Sequence, residues 1–340
     1  MATSSRCIVL GASAGGVETL KEVLSVLPSD IPAAIFVVLH IAPAAPSYLP
    51  AILSNNSSLE AVHPRDGDEI RNGLIYVAPP DHHLLIENNH IAVKRGPKEN
   101  RFRPSIDALF RSAAYAYGPA SIGVVLSGLL DDGTSGLWTI QRLGGITIIQ
   151  DPDQSRYEAM PRNALEYVEP DYKLPSLKIA RLLNDLVRQT VPAATNANAD
   201  LERRIAVEVE IAAGKSPELA DGGIYMGELT PFTCPECHGT LMKVTEGKLS
   251  RFRCHTGHAY SDNALLEAVM ESSGLMMWQI VRSMEESIML LKHMGKHLED
   301  TGASDRAALY LEKAHEIEQK HKMFYQEVLR HESLSGDNLK

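Results

Sequence analysis

The chain has 340 residues, of which 44% are hydrophobic and 22% are charged. This length predicts about two domains, and this composition excludes a wholly disordered chain. The net charge of −10 disfavours general binding to nucleic acid or to an anionic membrane surface. No apolar stretch approaches the roughly 18 residues of a membrane span, the apolar run 7–10 is too short for a signal peptide, and four cysteines do not make a disulfide framework. We therefore expect a soluble, cytoplasmic protein without membrane insertion.

Residues 1–188 alternate short β-rich runs with helical stretches. The predicted strands are Arg6–Leu10, Ala34–His40, Gly73–Val77, Ser121–Ser127 and Gly145–Gln150. Helices are predicted at Val17–Leu27 and Gly136–Leu143. Continuous apolar runs such as 35–39 suit strands that are covered on both faces. The alternation predicts an α/β fold with a doubly wound, mainly parallel sheet.

The rest of the chain divides into a linker and two smaller parts. Residues 189–200 are small, polar and without periodicity, which is typical of a linker. The module 201–262 holds three of the four cysteines, and its first segment, 201–213, fits both a strand and a helix, so both stay open. In 263–335, apolar residues recur at threes and fours around a break at Thr301-Gly302. This pattern predicts an antiparallel helical hairpin, whose methionines we interpret as packing residues.

A glycine-rich turn, residues 11–16, follows the first predicted strand and begins a helix. A dinucleotide-binding fingerprint would place glycine rather than serine at position 13 and an acidic residue after the second strand. A short-chain reductase would need a Tyr-x-x-x-Lys pair, which no tyrosine here provides. A plain glycine turn stays open. The remaining interpretation is a serine elbow, Gly11-x-Ser13-x-Gly15, whose following helix directs free N–H groups at the serine.

Two further residues at strand ends extend this candidate site. His40 ends the second predicted strand, and Asp132 lies just past the fourth. Because the carboxyl ends of neighbouring parallel strands meet at one edge of a sheet, we expect both to converge on Ser13. Serine, histidine and aspartate in contact would form a nucleophilic triad. Taken singly, a strand-end histidine and an ordinary Asp-Gly turn remain simpler interpretations.

Residues 6–188 resemble the chemotaxis protein-glutamate methylesterases of the CheB type. The resemblance is carried by six motifs in order, at residues 11–16, 38–43, 75–83, 103–110, 126–133 and 159–162. It implies a serine hydrolase that demethylates glutamate γ-methyl esters on chemoreceptor-type proteins and releases methanol, with glutamine deamidation as a related activity. The alternatives are an esterase or amidase with another substrate, and a catalytically silent signalling adaptor.

The resemblance also implies roles for single residues. Ser13 would be the nucleophile, His40 the general base and Asp132 its orienting carboxylate, and the backbone N–H groups of Ala14 and Leu129 would form the oxyanion hole. The neighbouring residue 131 is an aspartate where the family often has asparagine, which leaves open which aspartate pairs with the histidine. We favour residue 132.

The resemblance further implies partners and a departure in regulation. The partner would be a methylated chemoreceptor or related signalling protein, with a sensor kinase or methyltransferase system nearby. Relatives usually carry an N-terminal receiver domain, for which there is no room before Arg6. We therefore expect a stand-alone form that is not controlled by phosphorylation in cis. We hypothesise that the C-terminal module instead docks a receptor, a kinase or a second copy of the chain.

The cysteines of the second half have metal-ligand spacing. A Cys-x2-Cys pair is separated by sixteen residues from a Cys-x3-His pair, which predicts a zinc ribbon in which Zn²⁺ is structural. The predicted ligands are Cys234, Cys237, Cys254 and His258. His255 is the alternative fourth ligand, but the longer spacing closes more easily, and similar ribbons attached to this esterase family use the later histidine. No cofactor is expected for catalysis.

Other polar residues receive no catalytic role. We interpret His238 as a surface residue and Cys7 as part of the core. We interpret His82 and His83 as residues that either structure a loop or lie at the rim of the site. Arg101 and Arg103 either line a cleft for acidic substrate helices or belong to a solvated loop.

Overall fold

A computed structural model describes residues 6–193, 199–215 and 227–332. The chain divides into two compact units, Met1–Ala264 and Leu265–Lys340. The predicted linker 189–200 falls partly outside the described residues. The division into a catalytic domain, a ribbon module and a hairpin stays a prediction.

The helices and strands alternate through most of the first unit. The strands are β1 (Arg6–Ala12), β2 (Ala33–Leu39), β3 (Glu60–Val62), β4 (Leu74–Val77), β5 (His83–Glu87), β6 (His90–Lys94), β7 (Ser121–Val125), β8 (Ile146–Gln150), β9 (Tyr172–Leu174), β10 (Glu228–Thr233), β11 (Thr240–Glu246), β12 (Leu249–Cys254) and β13 (Ala259–Ser261). The helices are α1 (Gly16–Ser25), α2 (Leu49–Asn55), α3 (Ile106–Tyr117), α4 (Thr134–Arg142), α5 (Ala159–Tyr167), α6 (Ser176–Leu186), α7 (Ala199–Ala212), α8 (Asp262–Asp300) and α9 (Ser304–Glu332).

The second unit consists of most of α8 together with α9. Trp278 packs edge-on against Tyr325 with ring centroids 5.8 Å apart, and Gly295 lies against Leu311. These pairs run in opposite directions along the two helices, so the helices are antiparallel. Gly302 at the turn has a φ of 79°, which glycine adopts without strain. Among the described helices, none is long and apolar enough to cross a membrane.

Seven strands of the described chain form one parallel sheet in the order β3-β4-β2-β1-β7-β8-β9. β1 and β2 are buried along their whole length, because apolar clusters cover both faces. The predicted doubly wound parallel sheet is therefore confirmed. The predicted bounds of the five strands and two helices lie within two residues of the observed ones.

The order in which the chain adds strands to the sheet reverses at β1. β2 pairs with one side of β1 and β7 with the other, so the carboxyl ends of these three strands meet at one edge. In open α/β sheets, this reversal of strand order is where ligands bind.

The undecided segment 201–213 is helical. Ile205 and Val209 of α7 join the core that also contains residues of α3. Glu208 on the same helix is 4% exposed. The apolar pattern alone did not distinguish strand from helix, because one of the inward-facing residues is charged.

An antiparallel sheet in the order β10-β11-β12-β13 forms the ribbon, which belongs to the same compact unit as the parallel sheet. It packs closely against the rest of that unit. A Cβ atom on Gly257 would lie 2.6 Å from Ile211 Cγ2 and 2.8 Å from Pro97 Cγ. The ribbon is therefore seated on the loop before α3 and on the end of α7.

Six buried charged side chains join the ribbon to α3 and α7. They are Glu99, Arg111, Glu208, Glu246, Arg251 and Arg253. Arg251 Nη1 lies 3.1 Å from Glu208 Oε2 and 3.0 Å from Glu246 Oε1, and Arg111 Nη2 lies 3.0 Å from Glu99 Oε2. Three positive and three negative charges balance, which buried ions require. Burial alone would raise the pKa of Glu208, but the charges of Arg251, Arg253 and Arg111 lower it to about 2.

Replacing Glu208 by Gln leaves the three buried arginines of the network with only two carboxylates, so that one buried positive charge is uncompensated. We expect the variant to lose about 3–5 kcal/mol of unfolding free energy at pH 7, measured by urea denaturation followed by circular dichroism. The carboxylate stabilises the fold fully above its ordinary pKa of 4.5, and this stabilisation is lost as pH falls through about 2. The unfolding free energy of the variant should therefore fall less steeply than that of wild type as the pH is lowered from about 4.5 to about 2.

The matched control is Glu158→Gln, which breaks an exposed pair with Arg162. It should cost at most about 1 kcal/mol. Equal losses in the two variants would contradict the role assigned to the buried network.

Candidate active site

Ser13 lies directly after β1, in a sharp turn into α1. Gly15 has a φ of 70° and caps the helix, a left-handed conformation that glycine favours. The Ser13 N–H donates to the carbonyl oxygen of Ser127 at 3.0 Å, and the Gly16 N–H donates to the Ser13 carbonyl at 2.9 Å. The predicted elbow is thus formed by a strand, a tight turn and a helix.

The loop after β7 approaches the elbow closely. A Cβ atom on Gly128 would lie 3.0 Å from Ser13 Cβ, tighter than ordinary contacts. The Gly128 N–H donates to the carbonyl oxygen of Tyr157 at 3.1 Å. Glycine at position 128 therefore allows the loop that carries the aspartates to lie against the serine.

The His40 ring lies between Ser13 and Asp132. Its Nδ1 is 3.2 Å from Ser13 Oγ, and its Nε2 is 2.8 Å from Asp132 Oδ2. The Phe102 ring stacks on the imidazole at a centroid distance of 3.8 Å and an interplanar angle of 8°. The structure thus brings together the three residues predicted from the strand ends, and the phenyl ring limits rotation of the imidazole.

These contacts define which ring nitrogen carries the proton. An ionised carboxylate only accepts hydrogen bonds, so Nε2–H of His40 donates to Asp132. Nδ1 is then free to accept the hydroxyl proton of Ser13. This is the arrangement that a general base requires.

Asp132 is 1% exposed and surrounded by donors. Besides His40, its oxygens accept hydrogen bonds from four groups: Ile106 N–H at 2.7 Å, Asn100 Nδ2 at 2.9 Å, Ser105 Oγ at 3.0 Å and Asp107 N–H at 3.2 Å. Two of these are N–H groups of the first turn of α3, where the helix dipole favours negative charge. Burial by itself would raise the pKa of Asp132, but the hydrogen bond and charge of His40 and the donors of Asn100 and Ile106 hold it below its ordinary value.

Asp131 has different partners. Its Oδ1 accepts a hydrogen bond from Ser261 Oγ at 2.6 Å, and its Oδ2 accepts one from Asn263 Nδ2 at 3.2 Å. Burial, together with the nearby charge of Asp132, raises the pKa of Asp131 to about 6. Of the two adjacent aspartates, it is Asp132 whose carboxylate contacts His40.

The predicted oxyanion donors lie on the two loops that meet at Ser13. The N–H groups of Ser13 and Gly128 are already occupied. Across the part of the chain that the structure describes, no intramolecular acceptor is assigned to the N–H of Ala14 or Leu129. Both are thus available to a bound ligand.

The structure bears on two residues that the sequence left with alternative interpretations, and it gives His83 the role of structuring a loop. His83 is fully buried rather than at a rim: it contacts the Pro97 carbonyl at 2.8 Å and accepts the Ser105 N–H at 3.3 Å. Arg103 does not belong to a solvated loop, because its side chain is 14% exposed and its Nε and Nη2 donate to Asp81 Oδ1 at 2.9 and 2.7 Å. Both residues hold the loop that precedes α3. The predicted core position of Cys7 is confirmed.

The sequence reasoning missed two residues of the site, Asn100 and Phe102. Both fall just before the motif 103–110 that carried the family resemblance. Their position beside that motif was the only signal in the sequence, since neither residue type points to catalysis.

Three cysteines and a histidine converge in the ribbon. The donor atoms of Cys234, Cys237, Cys254 and His258 all lie within 4.8 Å of one another. Cys237 Sγ lies 3.6 Å from Cys254 Sγ, and His258 Nδ1 lies 3.6 Å from the same sulfur. Zn–S bonds of about 2.3 Å in a tetrahedron place sulfurs about 3.8 Å apart, so the cluster fits a metal ion. His255 is exposed and outside the cluster, as is His238.

Comparison with known proteins finds matches to the first half of the chain. The family model described as CheB methylesterase matches residues 8–183. The chain belongs to the CheB methylesterase family. A relative from Leptospira interrogans, provisionally named a protein-glutamate methylesterase/protein-glutamine glutaminase, is 39% identical over 176 residues, covering 52% of this chain and 91% of the relative.

Two further similarities come from Thermotoga maritima. Its protein-glutamate methylesterase/protein-glutamine glutaminase is 34% identical over 190 residues, which cover 55% of each chain. The crystal structure of its CheB methylesterase catalytic domain superposes with a TM-score of 0.52 at 33% identity, covering 54% of this chain and 99% of that one. The chain therefore spans about half the length of this full-length relative, and the matched part is the catalytic domain.

Proposed function

We propose that this chain hydrolyses glutamate γ-methyl esters on a methylated chemoreceptor-type protein and releases methanol. The observation that carries the proposal is the continuous contact from Ser13 through His40 to Asp132 at the edge of the parallel sheet. The names of the similar proteins from Leptospira interrogans and Thermotoga maritima support the same substrate class.

In the proposed acylation step, Ser13 Oγ attacks the ester carbonyl carbon while its proton passes to Nδ1 of His40. The carbonyl oxygen becomes an oxyanion, which the N–H groups of Ala14 and Leu129 stabilise, each by about 3 kcal/mol. When the C–O bond to the methoxy group breaks, His40 returns the proton to it. Methanol leaves, and the glutamyl group remains bound to Ser13 as an ester.

In the proposed deacylation step, water enters where methanol was. His40 takes a proton from the water as it attacks the acyl carbon, and then protonates the Ser13 oxygen as that bond breaks. The glutamate carboxylate is released. Asp132 stays ionised throughout and stabilises the imidazolium that forms twice in each cycle.

Glutamine deamidation is the second activity we propose for the same site. An amide carbonyl gives the same acyl-enzyme, with ammonia as the leaving group in place of methanol. The names of the similar proteins include a glutaminase activity, which favours this substrate over other amides. A role as a silent adaptor is less well supported, since the contacts of a triad are in place.

We further propose that the ribbon holds a structural Zn²⁺ ion. Cys234, Cys237, Cys254 and His258 would supply all four ligands of a tetrahedral ion, which leaves no open position for substrate. The ion would link the two turns of the ribbon, which has little apolar core of its own. Thr256 Oγ1 lies 2.9 Å from the sulfurs of Cys237 and Cys254 and can donate to one of them.

The helical hairpin is the part of the chain that we propose for contacts with other proteins. Its two helices expose large apolar side chains, including Leu275, Met289, Leu290, Leu309 and Met323. Surfaces of this kind commonly mark protein interaction sites. A helix of a signalling partner or of a second copy of this chain would cover them.

Replacing Ser13 by Ala removes the nucleophile without disturbing the core. We expect methanol release from methylated chemoreceptors to fall by at least about 10³-fold, while the circular dichroism spectrum and melting temperature stay unchanged. Methanol is measured by headspace chromatography of radiolabelled methyl groups.

The matched control is Ser25→Ala, which removes an exposed hydroxyl at the end of α1, the helix that follows Ser13. It should release methanol at the wild-type rate. A Ser13→Ala protein as active as the control would exclude Ser13 as the nucleophile.

The ribbon makes a separate prediction about metal content. Purified wild-type protein should contain one zinc ion per chain, and His258→Ala should contain much less, because three ligands hold Zn²⁺ far more weakly than four. His255→Ala, at an exposed position directly after Cys254, should keep full zinc. Metal content is measured by plasma mass spectrometry. Full zinc in His258→Ala combined with loss in His255→Ala would assign the ligand to His255.

A further inference from the structure

The last strand of the ribbon reaches the loop that precedes α3. The Asn100 N–H donates to the Ala259 carbonyl at 2.8 Å, and the Ala259 N–H donates to the Lys98 carbonyl at 3.2 Å. Ala259 directly follows His258, one of the proposed metal ligands. The contact between β13 and the loop before α3 therefore begins one residue after a proposed metal ligand.

The side chain of Asn100 connects this strand to the triad. Its Oδ1 accepts the Ser261 N–H at 2.9 Å, while its Nδ2 donates to Asp132 Oδ1 at 2.9 Å and to Asp107 Oδ2 at 2.8 Å. Asn100 is 3% exposed. Each polar atom of the amide is thus used, and its orientation is fixed from both ends: the Ser261 N–H only donates, and the ionised carboxylate of Asp132 only accepts.

Ser261 also holds the residue beside the catalytic aspartate. Its Oγ donates to Asp131 Oδ1 at 2.6 Å and accepts the Ala264 N–H at 3.1 Å. Ser261 therefore contacts two residues that adjoin Asp132. Asn100 adjoins it in space, through a hydrogen bond, and Asp131 precedes it in the chain.

We propose that Asn100 and Ser261 are positioning residues for the triad, so that the folded ribbon is required for turnover as well as for stability. This inference rests on the proposed esterase function. The chain of contacts runs from Ser261 through Asn100 to Asp132, and from there to His40 and Ser13. A loosened ribbon would leave Asp132 with one donor fewer and His40 with a poorly oriented carboxylate.

The experiment compares wild type, Asn100→Ala and Ser261→Ala in the full chain, with two readouts. The first is kcat and KM for methanol release. The second is the proton resonance of the His40 Nε2–H, observed at low field by NMR because that proton lies in a hydrogen bond to Asp132. A purely structural role for Asn100 and Ser261 would not move this resonance in a protein that remains folded.

We expect Asn100→Ala to lower kcat by about 10- to 100-fold at unchanged KM, and to shift or broaden the His40 resonance. Ser261→Ala removes the hydroxyl contacts with Asp131 and with the Ala264 N–H but keeps the backbone N–H that donates to Asn100. We therefore expect kcat to fall by about 3- to 10-fold, with a smaller shift of the resonance. Thr245→Ala changes an exposed position of the same ribbon and should match wild type in both readouts. Removing the metal with a chelator should shift the His40 resonance in the same direction as Asn100→Ala.

Wild-type kcat and an unmoved His40 resonance in folded Asn100→Ala would overturn the proposal. If that variant does not fold, Ser261→Ala decides by the same two readouts. If wild type releases no methanol, the esterase function has failed, and the His40 resonance in the variants still tests whether β13 positions the triad. An unmoved resonance would then refute the positioning role separately.

Discussion

The carboxylate of Asp132 carries a buried negative charge, and the residues around the candidate active site are placed so that their hydrogen-bond donors stabilise this charge. Five donors converge on two oxygens, from the imidazole of His40, the first turn of α3, the hydroxyl of Ser105 and the amide of Asn100. An isolated carboxylate at this depth would cost several kcal/mol and would be neutralised by a proton. With these donors it stays ionised, which His40 needs to act as a base.

This constraint explains how separate parts of the chain come together. β1 and β2 end directly before Ser13 and His40, and the loop after β7 brings Asp132 to the same edge. The start of α3 supplies backbone N–H groups, and the loop before it supplies Phe102, which stacks on His40, and Asn100. The ribbon also contributes, because β13 forms hydrogen bonds with the loop that carries Asn100.

Much of this arrangement could be predicted from the sequence, since it follows from local rules. Apolar runs defined five of the seven strands of the parallel sheet, and the rule that strand ends meet at one edge grouped Ser13, His40 and Asp132. The Cys-x2-Cys and Cys-x3-His spacings defined the cluster of the ribbon. Asn100 and the charged network of Glu99, Glu208 and the arginines could not be found in this way. Some of their partners are far away in the chain: Arg251 and Arg253 lie 152 and 154 residues from Glu99, and Ser261 lies 161 residues from Asn100. Buried charges also look like surface residues in a hydropathy pattern.

The same limit applies to α7, where Glu208 faces the interior and interrupts the apolar pattern. It applies as well to the relation between the ribbon and the catalytic domain. The charged network and the contacts of β13 join the ribbon and the parallel sheet in one compact unit, and composition gave no sign of these contacts. In physical terms, an ion pair between distant segments leaves no periodic signal.

The most direct test of this account compares Asp132→Asn with Asp131→Asn, since the two adjacent aspartates share burial but not partners. The account predicts that Asp132→Asn lowers kcat for methanol release by about 10³- to 10⁴-fold, because an amide cannot stabilise the imidazolium of His40. Asp131→Asn should lose less than about tenfold, because an amide oxygen still accepts the Ser261 hydroxyl. A larger loss in Asp131→Asn than in Asp132→Asn would contradict the assignment of Asp132 as the carboxylate on which the site depends.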